Sequence, residues 1–164
     1  FNENKTSHVV PRLAGVVESV SANLGQQVKK GQVIAVIAST ALSELRSDLL
    51  SAQKRLELAR ATFEREKRLW EAKISAELDY LQARQALREA EITVHNAQQK
   101  LLALGAKPGV SGDSGALNRY EIRAPFDGMV VEKHIAQGEA VKEDANIFTI
   151  SDLSSVWAQL IVSA

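Results

Sequence analysis

The segment Ala14–Ser39 recurs, without a gap, at Asp127–Asp152. Seven of the 26 aligned positions are identical: Gly15/Gly128, Val17/Val130, Gly25/Gly138, Val28/Val141, Lys29/Lys142, Ile34/Ile147 and Ile37/Ile150. Ordinary composition gives about one or two such matches. The identities also fall where a small β-unit needs them. Gly15 and Gly128 open a strand at a point where backbone or turn geometry excludes a side chain. Gly25 and Gly138 sit in a turn between strands. The paired valines and isoleucines lie where strands bury them. A unit of this size is too small to bury its apolar face alone. Two copies related by a pseudo-twofold axis seal each other. The chain must therefore separate the two copies in sequence and reunite them in space.

The insert between them has its own signature. All nine glycines and all three prolines lie outside residues 32–104. Most of that stretch, Leu42–Leu104, is rich in Ala, Leu, Glu, Arg, Gln and Lys, which favour helix. Leu42, Leu45, Leu49, Ala52, Leu56, Ala59 and Phe63 alternate in steps of three and four. Glu66 breaks the apolar stripe and Trp70 resumes it. A second stripe runs through Tyr80, Ala83, Leu87, Ala90, Val94, Ala97, Leu101 and Leu104. This 3.5-residue repeat lays one narrow seam against one partner helix.

The two stripes do not share a phase, and the break falls at Glu71–Ser75. Ser75 is the expected N-cap of the second helix, with Glu77 and Asp79 at the end where a helix dipole favours acids. Gly105 followed by Pro108 is a helix stop. Two helices are predicted, at about 42–72 and 76–104, joined as an antiparallel hairpin. A bundle helix needs a wider apolar face. Here the remaining positions are mostly charged or Gln, with 11 Lys or Arg and 10 Asp or Glu in 42–104, so the hairpin is expected to project into solvent.

Composition excludes several functions. The chain has 164 residues, with 20 Lys plus Arg balanced by 20 Asp plus Glu. No basic excess marks a nucleic-acid surface. No apolar run is long enough to cross a bilayer. The absence of cysteine removes disulfides and thiolate metal sites, and fits an oxidising compartment. The start at Phe1, without a signal peptide, reads as a processed or excised segment.

The stretches "GVVESVSANLGQQVKKGQVIAVI" and "IRAPFDGMVVEKHIAQGEAVKEDANIFTI" resemble the two halves of a lipoyl/biotinyl-type domain. Split by a helical hairpin, with "RAPFDGMV" opening the second half, they are similar to the periplasmic adaptor proteins, or membrane fusion proteins, of Gram-negative tripartite efflux systems of the RND type. The second half looks closest to adaptors of heavy-metal resistance pumps. The resemblance implies a mixed α and β fold: a lipoyl-like β-sandwich made of two sequence-distant halves, interrupted by a long antiparallel coiled-coil hairpin. Its expected layout is a first half at 11–39, the hairpin at 40–104, a flexible connector at 105–119 and a second half at 120–153. Residues 1–10 and 154–164, including the strand-like run Val156–Val162, would lead toward a further β-domain.

The resemblance further implies a non-enzymatic periplasmic protein in a ring of six copies. Its partners would be an inner-membrane RND transporter and an outer-membrane channel, and its role efflux of heavy-metal cations. Adaptors of drug efflux or of type I protein secretion would share the fold. A lipoyl or biotinyl carrier is the rival of another class. That rival needs a lysine on the turn joining its halves, and Ala41 stands at that position, with Ser154 its pseudo-symmetric counterpart. Without the amine there is no covalent cofactor.

In the family the hairpin tip docks on the channel through an Arg, a Leu four residues later and a Ser beyond the turn. The matching residues here are Arg65, Leu69 and Ser75, with the Leu-to-Ser spacing one residue shorter than in the drug-efflux branch. Trp70 beside them reads either as an interface anchor or as a seam plug. No other site stands out. His95 follows a seam residue and faces solvent. His134 is read as an exposed strand residue, His8 has no clear place, and Met129 is read as core. No histidine pair or acidic cluster has metal-ligand spacing. Glu64/Glu66 and Glu89/Glu91 are read as solvated helix charges.

Overall fold

A computed structural model describes residues 6–107 and 117–153. They form, in order, β1 (Thr6–Val9), β2 (Gly15–Val20), β3 (Gln27–Val28), β4 (Val33–Ala38), α1 (Thr40–Glu71), α2 (Glu77–Ala103), β5 (Arg119–Arg123), β6 (Gly128–Lys133), β7 (Ala140–Val141) and β8 (Phe148–Ser151). The chain divides into two compact units, one of residues up to Thr40 together with those from Asn118 onward, the other of residues 41–117. The connector read at 105–119 lies largely outside the described residues, as do Ser154 and the run 156–162.

The first unit holds two antiparallel four-stranded sheets, ordered β1-β8-β6-β3 and β5-β4-β2-β7. Adding 113 to a residue number in the first half converts one sheet into the other, strand for strand. Each half keeps its two long strands adjacent, β2 with β4 and β6 with β8. Each gives its outer strands to the other half's sheet: β1 and β3 flank β8 and β6, while β5 and β7 flank β4 and β2. The halves are therefore interlaced and not merely stacked face to face. Neither contains a complete sheet, so neither can satisfy its own strand edges.

The repeat also reaches further upstream than the sequence alignment. Thr6–Val9, ahead of the expected start at Pro11, forms the edge strand β1 and corresponds to Arg119–Ile122 in β5. Val9 and Ile122 are both buried. The ladders shift register between Val17 and Ser19 and, at the corresponding place, between Val130 and Glu132. The central strands β4 and β8 carry the densest apolar content, with Ile34, Ile37, Ile147, Phe148 and Ile150 within 1% of full burial.

The four repeat glycines divide into two physical classes. A Cβ on Gly15 would lie 2.3 Å from the Ala38 carbonyl oxygen, and one on Gly128 would lie 2.7 Å from that of Ser151. These glycines allow a close strand approach. Gly25 and Gly138 have open space around them but φ of 77° and 83°, the left-handed region that L side chains avoid. The symmetry extends to a pair that the sequence hides. Gly31 (φ 81°) and Asp144 (φ 62°) are equivalent turn residues. The Gly31 amide donates to Ala124 O at 2.8 Å, and the Asp144 amide to Pro11 O at 3.0 Å.

The second unit is the antiparallel helical hairpin. α1 has 32 residues and α2 has 27, about 48 and 40 Å at 1.5 Å per residue. α1 begins two residues before the expected start, and both helices stop one residue short of their expected ends. Every seam residue read from the sequence of α2 is buried or half-buried, and those of α1 are so from Leu42 through Phe63. At its close α2 has Leu104 as C-cap and Gly105 at φ 72°. The Ala106 amide bonds to Leu101 O at 3.1 Å and the Gly105 amide to Leu102 O at 2.9 Å. This is a Schellman ending, with its apolar residue Ala106 buried as the motif requires.

The sheet unit shows where the insert enters. β4 and β5 pair down to Ala38↔Arg119, and the Ser39 amide donates to Asn118 O at 2.8 Å. The long insert thus stands where two paired strands would otherwise be joined by a tight turn.

Candidate docking tip of the helical hairpin

α1 ends by a second Schellman motif. The Ile74 amide donates to Leu69 O at 2.8 Å and the Lys73 amide to Trp70 O at 2.8 Å. The left-handed residue is Lys73, at φ 59°, where glycine is usual. In this motif the residue after the left-handed position packs back on the helix. At the base of the hairpin Ala106 does so, but at the tip Ile74 is 74% exposed. Leu78, one turn on, is 62% exposed. Sequence reasoning missed both. The signal available was two large aliphatics off the seam phase beside the turn.

The tight turn also displaces the expected cap. The N-cap of α2 is Ala76, extended at φ −74°, ψ 150°, with no side-chain hydrogen bond. Ser75 is still inside the turn, its amide 3.4 Å from Leu69 O. Its Oγ is buried and has no hydrogen-bond partner among the described residues. Ser75 is therefore not the helix cap. Glu77 and Asp79 do stand in the first turn of α2, as the dipole argument requires.

Arg65, Leu69 and Ser75 all lie in the last two turns of α1 or in the following turn. Arg65 is exposed and Leu69 half-buried. Arg65 Nε and its terminal nitrogen both lie 3.1 Å from Glu66 Oε1. Trp70, 37% exposed, stacks on Tyr80 of α2, with ring centroids 4.8 Å apart and planes at 13°. Phe63 meets the same ring at 5.7 Å. Trp70 thus closes the seam with one edge in solvent. The other helix carboxylates named from the sequence, Glu64, Glu89 and Glu91, are exposed, whereas Glu66 is not.

The β-unit contains no lysine at the turn where a carrier would hold its cofactor. Ala41 stands there, in the first turn of α1. His95 is exposed on α2. His134 is exposed just past the end of β6. Met129 is half-buried, a correction to its reading as core, because it lines an open groove with Gln27, Lys29 and Asp152 beside edge strand β3.

His8, unplaced by sequence, belongs to a polar row across the outside of the first sheet. His8 and Glu132 both register with Thr149. The Thr149 hydroxyl donates to Glu132 Oε2 at 2.7 Å, and His134 Nε2 lies 3.5 Å from the same oxygen. His8 Nδ1 is 3.2 Å from Thr149 Oγ1 and 3.2 Å from Asn146 Nδ2. The Thr149 hydrogen bond, then the His134 contact, hold the Glu132 carboxyl below its ordinary pKa, with the nearby charges of His134 and His8 adding to the effect. The Glu-x-His spacing of 132 and 134, two apart on a strand, was the sequence signal for this cluster. Among the described residues no three His, Cys, Asp or Glu side chains are grouped to hold a metal ion.

Comparison with known proteins bears on this tip and its β-unit together. A solved structure, ZneB from Cupriavidus metallidurans, superposes with a TM-score of 0.69 and 32% identity, over 93% of this chain and 63% of that one. The cobalt-zinc-cadmium resistance protein CzcB of Cupriavidus metallidurans is 73% identical over 164 residues, which is all of this chain and 31% of that protein. The nickel-cobalt-cadmium resistance protein NccB of Alcaligenes xylosoxydans xylosoxydans is 28% identical over 95% of this chain and 38% of its own length. The chain thus spans about a third of the length of the curated relatives it matches. The profile of one family covers residues 5–152, both sheets and the whole hairpin. By that match the chain belongs to the CzcB-like, barrel-sandwich hybrid domain family.

Proposed function

We propose that this chain is the hairpin-bearing part of a periplasmic adaptor that links an inner-membrane RND exporter to an outer-membrane channel in the efflux of cobalt, zinc and cadmium cations. The observation that carries the reading is the 73% identity, across every residue of the chain, to a protein named for cobalt-zinc-cadmium resistance. The work is geometric and not catalytic. The interlaced sheets form the base, copies of which assemble in a ring, six by family resemblance. The hairpin supplies reach, and its tip meets the channel.

Arg65, Leu69 and Ser75 are the docking residues in this reading. Three features support them. Arg65 offers an exposed guanidinium suited to carbonyls or carboxylates. Ser75 Oγ, buried beside the turn, has no hydrogen-bond partner among the described residues, a polar group whose need a docked partner would meet only by rearranging the turn. Ile74 and Leu78 are exposed aliphatics at the same end of the hairpin.

The test uses the full adaptor in a strain that depends on it. Arg65→Ala combined with Leu69→Ala is expected to lower tolerance to all three metals and to abolish cross-linking to the channel at unchanged adaptor level. Deletion of the adaptor with no change in tolerance to any of the metals would refute the cation reading. Undiminished cross-linking in the double variant would remove the tip from it.

A further inference from the structure

We infer that Glu66 is a positioning residue for the docking tip, holding the Arg65 guanidinium in place at the expense of the helix seam. The part of this inference that concerns the channel rests on the docking role proposed above for Arg65.

Glu66 occupies the one α1 position between Phe63 and Trp70 where the seam repeat calls for an apolar residue. It is on the seam in the structure too. Its side chain is only 17% exposed, whereas that of Arg65 is 63% exposed. Phe63 and Trp70 lie a turn to either side of it and both meet the Tyr80 ring. A carboxylate so placed loses hydration and interrupts the apolar contact between the helices. An acidic residue at a seam position needs a reason that packing does not supply.

Its bonding gives the reason. Two nitrogens of Arg65 converge on the single oxygen Oε1, each at 3.1 Å. One charge-assisted hydrogen bond from Nε and an ion-pair contact from a terminal nitrogen of the same planar fork fix the orientation of the guanidinium as well as its position. Its other four N–H donors make no hydrogen bond to Glu66 and stay available to a partner. The other arginine of this turn is held differently: Arg68 Nε donates to the backbone oxygen of Glu64 at 3.3 Å. Arg65 is thus the arginine anchored through a side chain that is itself held by the seam. An exposed arginine ordinarily samples many rotamers, and ordering it on docking weakens binding. Glu66 removes that freedom beforehand.

The experiment uses the full adaptor with the purified outer-membrane channel, and compares Glu66→Leu, Glu66→Gln and Arg65→Ala. Leu completes the seam, so this variant keeps or raises Tm. It is expected to loosen the Arg65 side chain, seen as a lower Nε–H order parameter by NMR relaxation, and to weaken channel binding about tenfold, the scale of one charge-assisted hydrogen bond. Gln still accepts from Arg65 and is expected to bind within about twofold of wild type, since the acceptor remains. Glu66→Leu combined with Arg65→Ala should bind no more weakly than Arg65→Ala alone.

An unchanged Arg65 order parameter in Glu66→Leu overturns the positioning role, whatever the channel data show. Weakened binding accompanied by a lowered Tm in that variant also overturns it, because hairpin stability would then account for the loss. A loosened Arg65 together with wild-type binding by Arg65→Ala leaves the positioning intact and refutes the docking role on which its function rests.

Discussion

The backbone amide of Gly25 donates to the carbonyl of Val130 at 2.8 Å, and 113 residues further on the amide of Gly138 donates to the carbonyl of Val17 at the same distance. The strands answer in kind. Val130 N donates to Gln26 O at 3.0 Å and Val17 N to Glu139 O at 2.8 Å. Each tight turn of one half is thereby bonded to a long strand of the other. The turn glycines are part of the joint between the halves and not only a means of reversing the chain.

The two classes of glycine predict two sizes of effect. Gly15→Ala and Gly128→Ala press a methyl group into backbone, which cannot swing aside. Each should cost about 3 kcal/mol, the upper end for overpacking. Gly138→Ala meets no atom within 4 Å and carries only the φ penalty, about 1 kcal/mol. Urea midpoints should order the variants accordingly, at unchanged m. Equal midpoints for Gly128→Ala and Gly138→Ala would contradict the assignment.

Ser75 and Lys73 test the geometry of the tip. An N-cap serine replaced by alanine costs about 1 kcal/mol. Ser75 is no cap and its hydroxyl has no hydrogen-bond partner among the described residues, so Ser75→Ala should leave Tm unchanged or slightly raised. Lys73→Gly should raise Tm, because it removes a left-handed lysine at a cost of about 1 kcal/mol. A loss of helicity and Tm in Ser75→Ala would restore the capping role.

Glu132 supplies a pH dependence with a definite sign. Its folded pKa lies below the ordinary value, so its contribution to stability is full above the ordinary value and is lost as pH falls through the folded one. Thr149→Val removes the largest cause. A carbon-detected carboxyl titration should show the Glu132 pKa rising toward the ordinary glutamate value in that variant. The stability deficit of Thr149→Val relative to wild type should shrink as pH falls through the folded pKa of Glu132. A Glu132 pKa unmoved by Thr149→Val would mean that the Thr149 hydroxyl does not hold it down.

The sheet unit should fold without the hairpin. Joining Ser39 to Asn118 through Asn-Gly completes a two-residue hairpin between β4 and β5, whose ladder already runs to that point. The product is expected to show β-type circular dichroism, dispersed amide resonances and one cooperative transition. By contrast, residues 1–39 alone should remain unfolded, because each sheet needs strands from both halves. Independent folding of that fragment would disprove the interlacing.

Several of these features can be read from residue order, and the physical reason is periodicity. The seam repeat is long enough to define a helix face, and the sevenfold identity between the halves defines a shared shape. What stays hidden lacks a period or breaks a residue rule. β3 and β7 are two residues each, too short to alternate, so the exchange of strands between sheets leaves no pattern. The left-handed turn at Lys73 has no glycine to announce it, and for that reason the sequence points to a cap one residue early, at Ser75. Asp144 hides its equivalence to Gly31 in the same way. The tip trio is legible only through family resemblance. Glu66 reads as a flaw in the stripe until its partner is seen in space.

The bond between Ser39 and Asn118 has a consequence for how such proteins diversify. Anything placed between these residues has to leave and return at one point. Two antiparallel helices meet that condition at any length, provided both change together. A heptad added to each would lengthen the span by about 10 Å while leaving every strand register untouched. Selection can therefore tune the length of the helical insert without rebuilding the sheets from which it departs.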